Sequence, residues 1–161
     1  MKQILILLIL AMLLFTSIVL ARVESKVSGK SNVAPQKKNC CSIQKSFKNK
    51  ISLTEICIEK NQTKIEFQIL IPYTMCGNTN DIGLSDENGK SYEIVSMKNI
   101  PTCPEIIQIN PGYKFYWFFE KLDKGISTLD LTENKNQNLN PVFPNWEFWH
   151  WKNIDVSKCN F

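Results

Sequence analysis

Residues 113–133 read YKFYWFFEKLDKGISTLDLTE, and the alternation inside this stretch sets the fold class. Tyr113, Phe115, Trp117 and Phe119 recur at period two, the spacing at which side chains share one face of a β-strand. Tyr116 and Phe118 make the opposite face apolar as well, which predicts a central strand covered on both sides. The run breaks at Lys121-Leu122-Asp123-Lys124-Gly125, a turn-forming composition. Leu129 and Leu131 then resume the alternation with Thr128, Asp130 and Thr132 between them. Two strands joined by a turn in this register are expected of an all-β protein.

The same period extends in both directions. Residues 51–59, ISLTEICIE, alternate with a slip of the apolar phase between Leu53 and Ile56, which predicts a bulge or a bend between two short strands. After a turn at Lys60-Asn61-Gln62-Thr63, Ile65, Phe67, Ile69 and Ile71 resume a period of two until Pro72, completing a first hairpin. Asn88-Gly89 between strand-like flanks predicts a second hairpin with a type I′ turn, returning through Tyr92, Ile94 and Val95. Ile106, Ile107 and Ile109 suit a short strand before the turn Asn110-Pro111-Gly112. Residues 74–83, 98–104 and 134–144 have loop compositions. Residues 146–156, WEFWHWKNIDV, form the closing strand. The count is about seven or eight strands without an amphipathic helix, the pattern of a two-sheet β-sandwich.

Several turn and core positions carry a more specific resemblance. They are Asn61 to Thr63, the segment Asp86-Glu87-Asn88-Gly89-Lys90-Ser91-Tyr92, then Phe119, Leu122, Gly125, Asp130, Leu131 and Glu133, and finally Trp146, Phe148, Asn153 and Ile154. In these positions residues 51–156 resemble the small immunoglobulin-like β-sandwich modules of exported bacterial proteins, most of them without an assigned activity. The resemblance implies an immunoglobulin-like sandwich and no particular chemistry. Neither the cysteines nor the Lys-rich leader belongs to it.

The chain opens on Met1-Lys2-Gln3 followed by an apolar run from Ile4 to Phe15 and a small-residue pair, Val19 and Ala21. This is the pattern of a secretory signal peptide over residues 1–21, cleaved before Arg22. The competing reading is an uncleaved membrane anchor, since about 18 residues of helix nearly span a bilayer. Residues 22–39 lack hydrophobic periodicity and read as a basic flexible arm. The net charge of +4 gathers in this arm and just beyond it, at Lys37, Lys38, Lys45, Lys48 and Lys50 among others. Residues 40–161 then suit one disulfide-bonded domain.

Six cysteines, Cys40, Cys41, Cys57, Cys76, Cys103 and Cys159, in a chain with an export signal imply disulfides in a secreted or periplasmic protein. Six thiols allow fifteen connectivities. Cys76 with Cys103, both in loop-like surroundings, and Cys159 with Cys40 or Cys41 are the expected pairs. The adjacent Cys40 and Cys41 should bond to two different partners.

Catalytic chemistry finds little footing. His150 is the only histidine, which excludes a multi-histidine metal site within one chain. No C-x-x-C, nucleophile elbow or Gly-rich phosphate loop occurs. Glu120, Asp123, Asp130 and Glu133 could in principle supply paired glycosidase carboxylates, but the interleaved Lys121 and Lys124 favour turn and solvent-face roles. No enzyme activity, cofactor, metal or nucleic-acid partner is expected, and a membrane association only through an uncleaved signal helix. The expected function is a binding or structural module for a protein or glycan partner, with a thiol-dependent enzyme as a further alternative. The sharpest candidate site is the last strand, where Trp146, Phe148 and His150 share one face and Trp149 and Trp151 the other. One face must be core. Trp149 and Trp151 would be a possible binding platform for stacking on sugars or anchoring a partner, against the alternative that a loop or the Cys40 segment covers them. Asn61-Gln62-Thr63 also matches a glycosylation sequon.

Overall fold

The computed structural model describes residues 39–133 and 147–159. The expected signal peptide, the expected basic arm apart from Asn39, the expected loop of residues 134–144 and Trp146 lie outside the described residues. Within them the chain forms eleven strands: β1 Cys40–Phe47, β2 Ile51–Ile58, β3 Gln62–Ile69, β4 Tyr73–Met75, β5 Gly83–Asp86, β6 Ser91–Tyr92, β7 Ile94–Lys98, β8 Ile107–Ile109, β9 Lys114–Glu120, β10 Thr128–Thr132 and β11 His150–Asp155. They make a five-stranded sheet in the order β1-β2-β3-β9-β7, a four-stranded sheet β11-β10-β5-β6 and a two-stranded sheet β4-β8. All strand pairs are antiparallel.

The aromatic strand β9 lies between β3 and β7, with Ile65 opposite Trp117 and Phe67 opposite Phe115. Its inward face, Phe115, Trp117 and Phe119, is fully buried. The outward face differs from expectation, because Tyr116 and Phe118 are only half-buried. Charged side chains lie there in place of a second packing layer. The Lys64 ammonium stands 5.6 Å from the Tyr116 ring centre, and Lys114 bonds the largely buried Glu66 at 2.6 Å.

The second half of the same stretch brings a larger correction. β9 and β10 are not paired with each other; β9 belongs to the five-stranded sheet and β10 to the four-stranded one. The segment between them is therefore a crossover from sheet to sheet, turning at Gly125 with φ +81°. The chain makes a similar crossing at Glu93, since β6 pairs with β5 while β7 pairs with β9. A strand that changes sheets is cut into two, which is one reason why eleven strands stand where seven or eight were expected.

Other expectations hold. β2 pairs with β3 as the first hairpin, and the phase slip within β2 is a register shift between Leu53 and Glu55. Ile107–Ile109 is a strand. The Asn88-Gly89 hairpin forms, but not with the type I′ turn. Only Gly89 has positive φ, and Gly89 N–H donates to Asp86 O at 3.0 Å, the geometry of a turn followed by a left-handed glycine bulge. Asp86 explains the choice: its carboxylate accepts from the N–H groups of Asn88 and Lys90 at 2.9 and 3.0 Å and from the Tyr92 hydroxyl at 2.9 Å. A buried side chain satisfied three times holds the loop where two positive φ angles would otherwise have been needed.

The two larger sheets share one core. Phe67 of β3 and Phe115 and Trp117 of β9 meet Trp149 and Trp151 from the other sheet, with ring centres 5.4 to 5.8 Å apart across the interface. Three disulfides, Cys40–Cys57, Cys41–Cys159 and Cys76–Cys103, use every cysteine. The expected Cys76–Cys103 pair is present, and Cys159 joins Cys41 while Cys40 crosses directly from β1 to β2. Cys41–Cys159 closes a loop of 118 residues, so it restricts the unfolded chain more than the others. Replacing both of its cysteines with alanine should cost roughly 2–4 kcal/mol, read as a lower urea midpoint under oxidising conditions.

Candidate functional site

The closing strand places its aromatics inward. Trp149 and Trp151 are each 2% exposed, so the candidate platform offers no aromatic face to solvent. Period two assigned the two indoles to one face correctly, and that face is core. Trp149 stacks on Trp117 at 5.8 Å and approaches Tyr73, whose hydroxyl accepts its indole N–H at 3.3 Å. Trp151 lies under β1: Phe47 stands edge-on to it at 5.9 Å, and its indole N–H donates to Lys45 O at 3.0 Å. The segment following Cys40 is thus the cover over Trp151.

What this arrangement turns outward is an open trough on the four-stranded sheet, of about 540 Å³ and of mixed polar and apolar lining. Its floor follows from register. Ser91 pairs with Ser85, and Ser85 with Asp130; in the adjoining row Gly83 pairs with Thr132, and Thr132 with His150. These residues alternate with Leu84, Tyr92, Leu131 and Trp151, all buried, so the sheet carries core on one side and small polar groups on the other. Short side chains and one glycine occupy the middle of the sheet, while Glu93, His150 and Lys152 stand around them. The His150 ring is braced edge-on against Phe47 at 5.2 Å. Ser85 and Ser91 hydroxyls make no hydrogen bond among the described residues. Asp130 does: it accepts from Asn153 N–H at 2.7 Å, where β11 bulges.

The four acidic residues of the central stretch are engaged one by one. Asp123 pairs with Lys90 at 2.7 Å on the surface, and Glu120 accepts from Glu93 N–H at 3.3 Å. Glu133 is buried, accepting from Trp149 N–H at 3.0 Å. Burial pushes its carboxyl up to about 8, against which the single backbone hydrogen bond works only in part. Glu87 shows the opposite case. Three donors from Ser127 and Thr128 reach its carboxylate at 2.8 to 3.0 Å, and the backbone N–H groups among them hold it down to about 2.

Cys40, Glu55 and Cys57 bring three potential ligand atoms within 4.8 Å of one another. The two sulfurs are bonded to each other, however, and a closed bridge supplies no thiolate for a metal. Asn61 is exposed at the turn between β2 and β3, whereas Thr63 of the same sequon is fully buried, its hydroxyl accepting from Leu122 N–H at 3.0 Å. The trough was not visible in the sequence, because its residues are individually ordinary and converge only through sheet order. Beside this geometry, no family model, no curated protein and no solved structure significantly matches this chain.

Proposed function

We propose that this protein is an exported, non-catalytic domain of the immunoglobulin-like sandwich kind, acting as a binding or structural module in a secreted or periplasmic setting. The observation that carries this reading is the closure of all six cysteines into three bridges, a state that persists in oxidising compartments. It also leaves no free thiol for a thiol-dependent enzyme. The separate structural employment of Glu120, Asp123, Asp130 and Glu133 supports the non-catalytic part, and two antiparallel sheets sharing one core support the sandwich.

Non-reducing mass spectrometry of the chain recovered from the exported fraction should show a mass lowered by three pairs of hydrogens and loss of residues 1–21. Six free thiols in a chain that retains its leader would defeat the proposal. Affinity capture from the native envelope fraction tests the binding role, with saturable retention of a partner as the expected result.

A carbohydrate-binding role remains the second reading, now without Trp149 and Trp151. The hydroxyl-bearing side chains along the trough, Ser85, Ser91 and Thr132, favour it.

A further inference from the structure

We infer that the trough on the four-stranded sheet is the binding site, and that its ligand is an uncharged, polyhydroxylated chain, a neutral glycan. The inference rests on the reading of the protein as a binding module and adds the surface and the ligand class.

The argument runs through what each class of ligand would need. An extended peptide adds to a sheet through free main-chain groups at an edge, but the trough lies over the sheet, where β10 is already paired on both sides, with β5 and β11. Nucleic acid and other polyanions need an excess of basic groups. Here Asp130 and Glu93 more than offset Lys152, so the formal charge of the trough is slightly negative. A lipid chain needs large apolar side chains along its whole length, whereas Leu84, Tyr92, Leu131 and Trp151 are buried in the core, and the exposed and half-buried side chains along the trough are Ser, Thr, Asp, Glu, His and Lys. What remains on offer is a set of polar side chains that can exchange hydrogen bonds with hydroxyls: Ser85, Ser91 and His150, beside Thr132, whose hydroxyl already donates to Glu133 O at 2.8 Å and is left to accept.

The shape agrees with the chemistry. Gly83 and Ser85 lower the middle of the sheet, and the volume of about 540 Å³ falls within the usual size of a ligand site. Two serine hydroxyls without partners among the described residues can hydrogen-bond a ligand without breaking a contact of the protein. Asp130, by contrast, is committed to Asn153 N–H and shapes the wall. With no exposed tryptophan to stack on a sugar ring, recognition depends on hydrogen bonds exchanged with water. Affinity for a short fragment is then weak, on the order of millimolar.

The test uses the full exported chain with its disulfides intact, labelled with nitrogen-15 and titrated with short soluble fragments of glucan, mannan, xylan and chitin. The expected result is a saturable shift of the amides of Gly83, Ser85, Thr132 and His150 with at least one of these fragments. Ser85→Ile fills the floor and removes a hydroxyl with a residue suited to strands, and should weaken that binding at least about tenfold. Ser96→Ile, the same change on exposed β7 of the other sheet, should leave it intact. Glycan binding untouched by Ser85→Ile would overturn the site while leaving the module reading in place. Binding only to a sulfated glycan, or no glycan binding alongside saturable capture of an envelope protein, would overturn the ligand class and again spare the module reading. Silence in both the titrations and the capture would sink the two together.

Discussion

Trp117→Ala should lower stability by about 3–5 kcal/mol, a large part of the roughly 5–15 kcal/mol that holds a domain of this kind folded. Trp117 is fully buried and sits among Phe67, Phe115 and Trp149 with ring centres 4.7 to 6.2 Å away, so truncation empties the place where the two sheets meet. The disulfides keep the unfolded chain compact and reduce the denaturant slope, so the comparison belongs in midpoints at equal slope. Trp117→Phe separates the volume from the polar group. The Trp117 indole N–H has no hydrogen-bond partner among the described residues, and removing a buried unpaired donor recovers about 1–3 kcal/mol against the loss of the smaller ring. That variant should therefore lie close to the parent. Trp151→Phe should not, because it strips Lys45 O of the indole donor at 3.0 Å. Equal losses for the two Phe variants would show that the unpaired donor of Trp117 costs nothing.

Glu133→Gln should abolish most of the pH dependence of stability between about pH 5 and pH 8. The folded carboxyl titrates near 8 instead of the ordinary 4.5, so the native state holds a proton that the unfolded chain gives up. This contribution to stability is fully present below about 4.5 and is lost as pH rises through about 8. At about 1.4 kcal/mol per pH unit, the whole span amounts to roughly 4–5 kcal/mol. Gln keeps an oxygen to accept from Trp149 N–H and cannot ionise. Urea midpoints at pH 5, 7 and 9 should fall for the parent and stay nearly level for Glu133→Gln, with the two proteins closest at pH 5. Parallel curves would mean that the carboxyl is ionised in the folded protein.

Period two made the faces of individual strands legible without the structure. It placed Phe115, Trp117 and Phe119 together, found the hairpin of β2 with β3 and put Trp149 on the same side as Trp151. It could not tell which sheet a strand joins. The crossings at Glu93 and between Glu120 and Thr128 leave the alternation on either side unchanged, so β9 and β10 read as a hairpin although they belong to different sheets of one core. β1 escaped notice for another reason. Its inward phase, Cys41, Ile43, Lys45 and Phe47, includes a lysine, and Gln44 adopts φ +54°, so CCSIQKSF reads as the start of the disulfide-bonded domain without a clean alternation that would mark a strand. The trough depends on the same missing information, since Ser91, Ser85, Asp130, Gly83, Thr132 and His150 become neighbours only once β6, β5, β10 and β11 are set side by side.

The lysine that disguised β1 also bears on one edge at which copies of this molecule could add to each other. β1 and β11 are the outermost strands of their sheets, each with one side of its backbone left over, and each is kinked by a left-handed residue, Gln44 and Asn153. The Lys45 ammonium spans the gap, donating to the carbonyls of Lys152 and Asn153. Two consecutive carbonyls tied to one cation, in strands that are locally out of register, make a poor template for a foreign strand. Along this one margin a single ammonium group obstructs strand-by-strand addition of another copy once β1 and β11 come together, while β7 and β6 are the opposite edges of the two sheets.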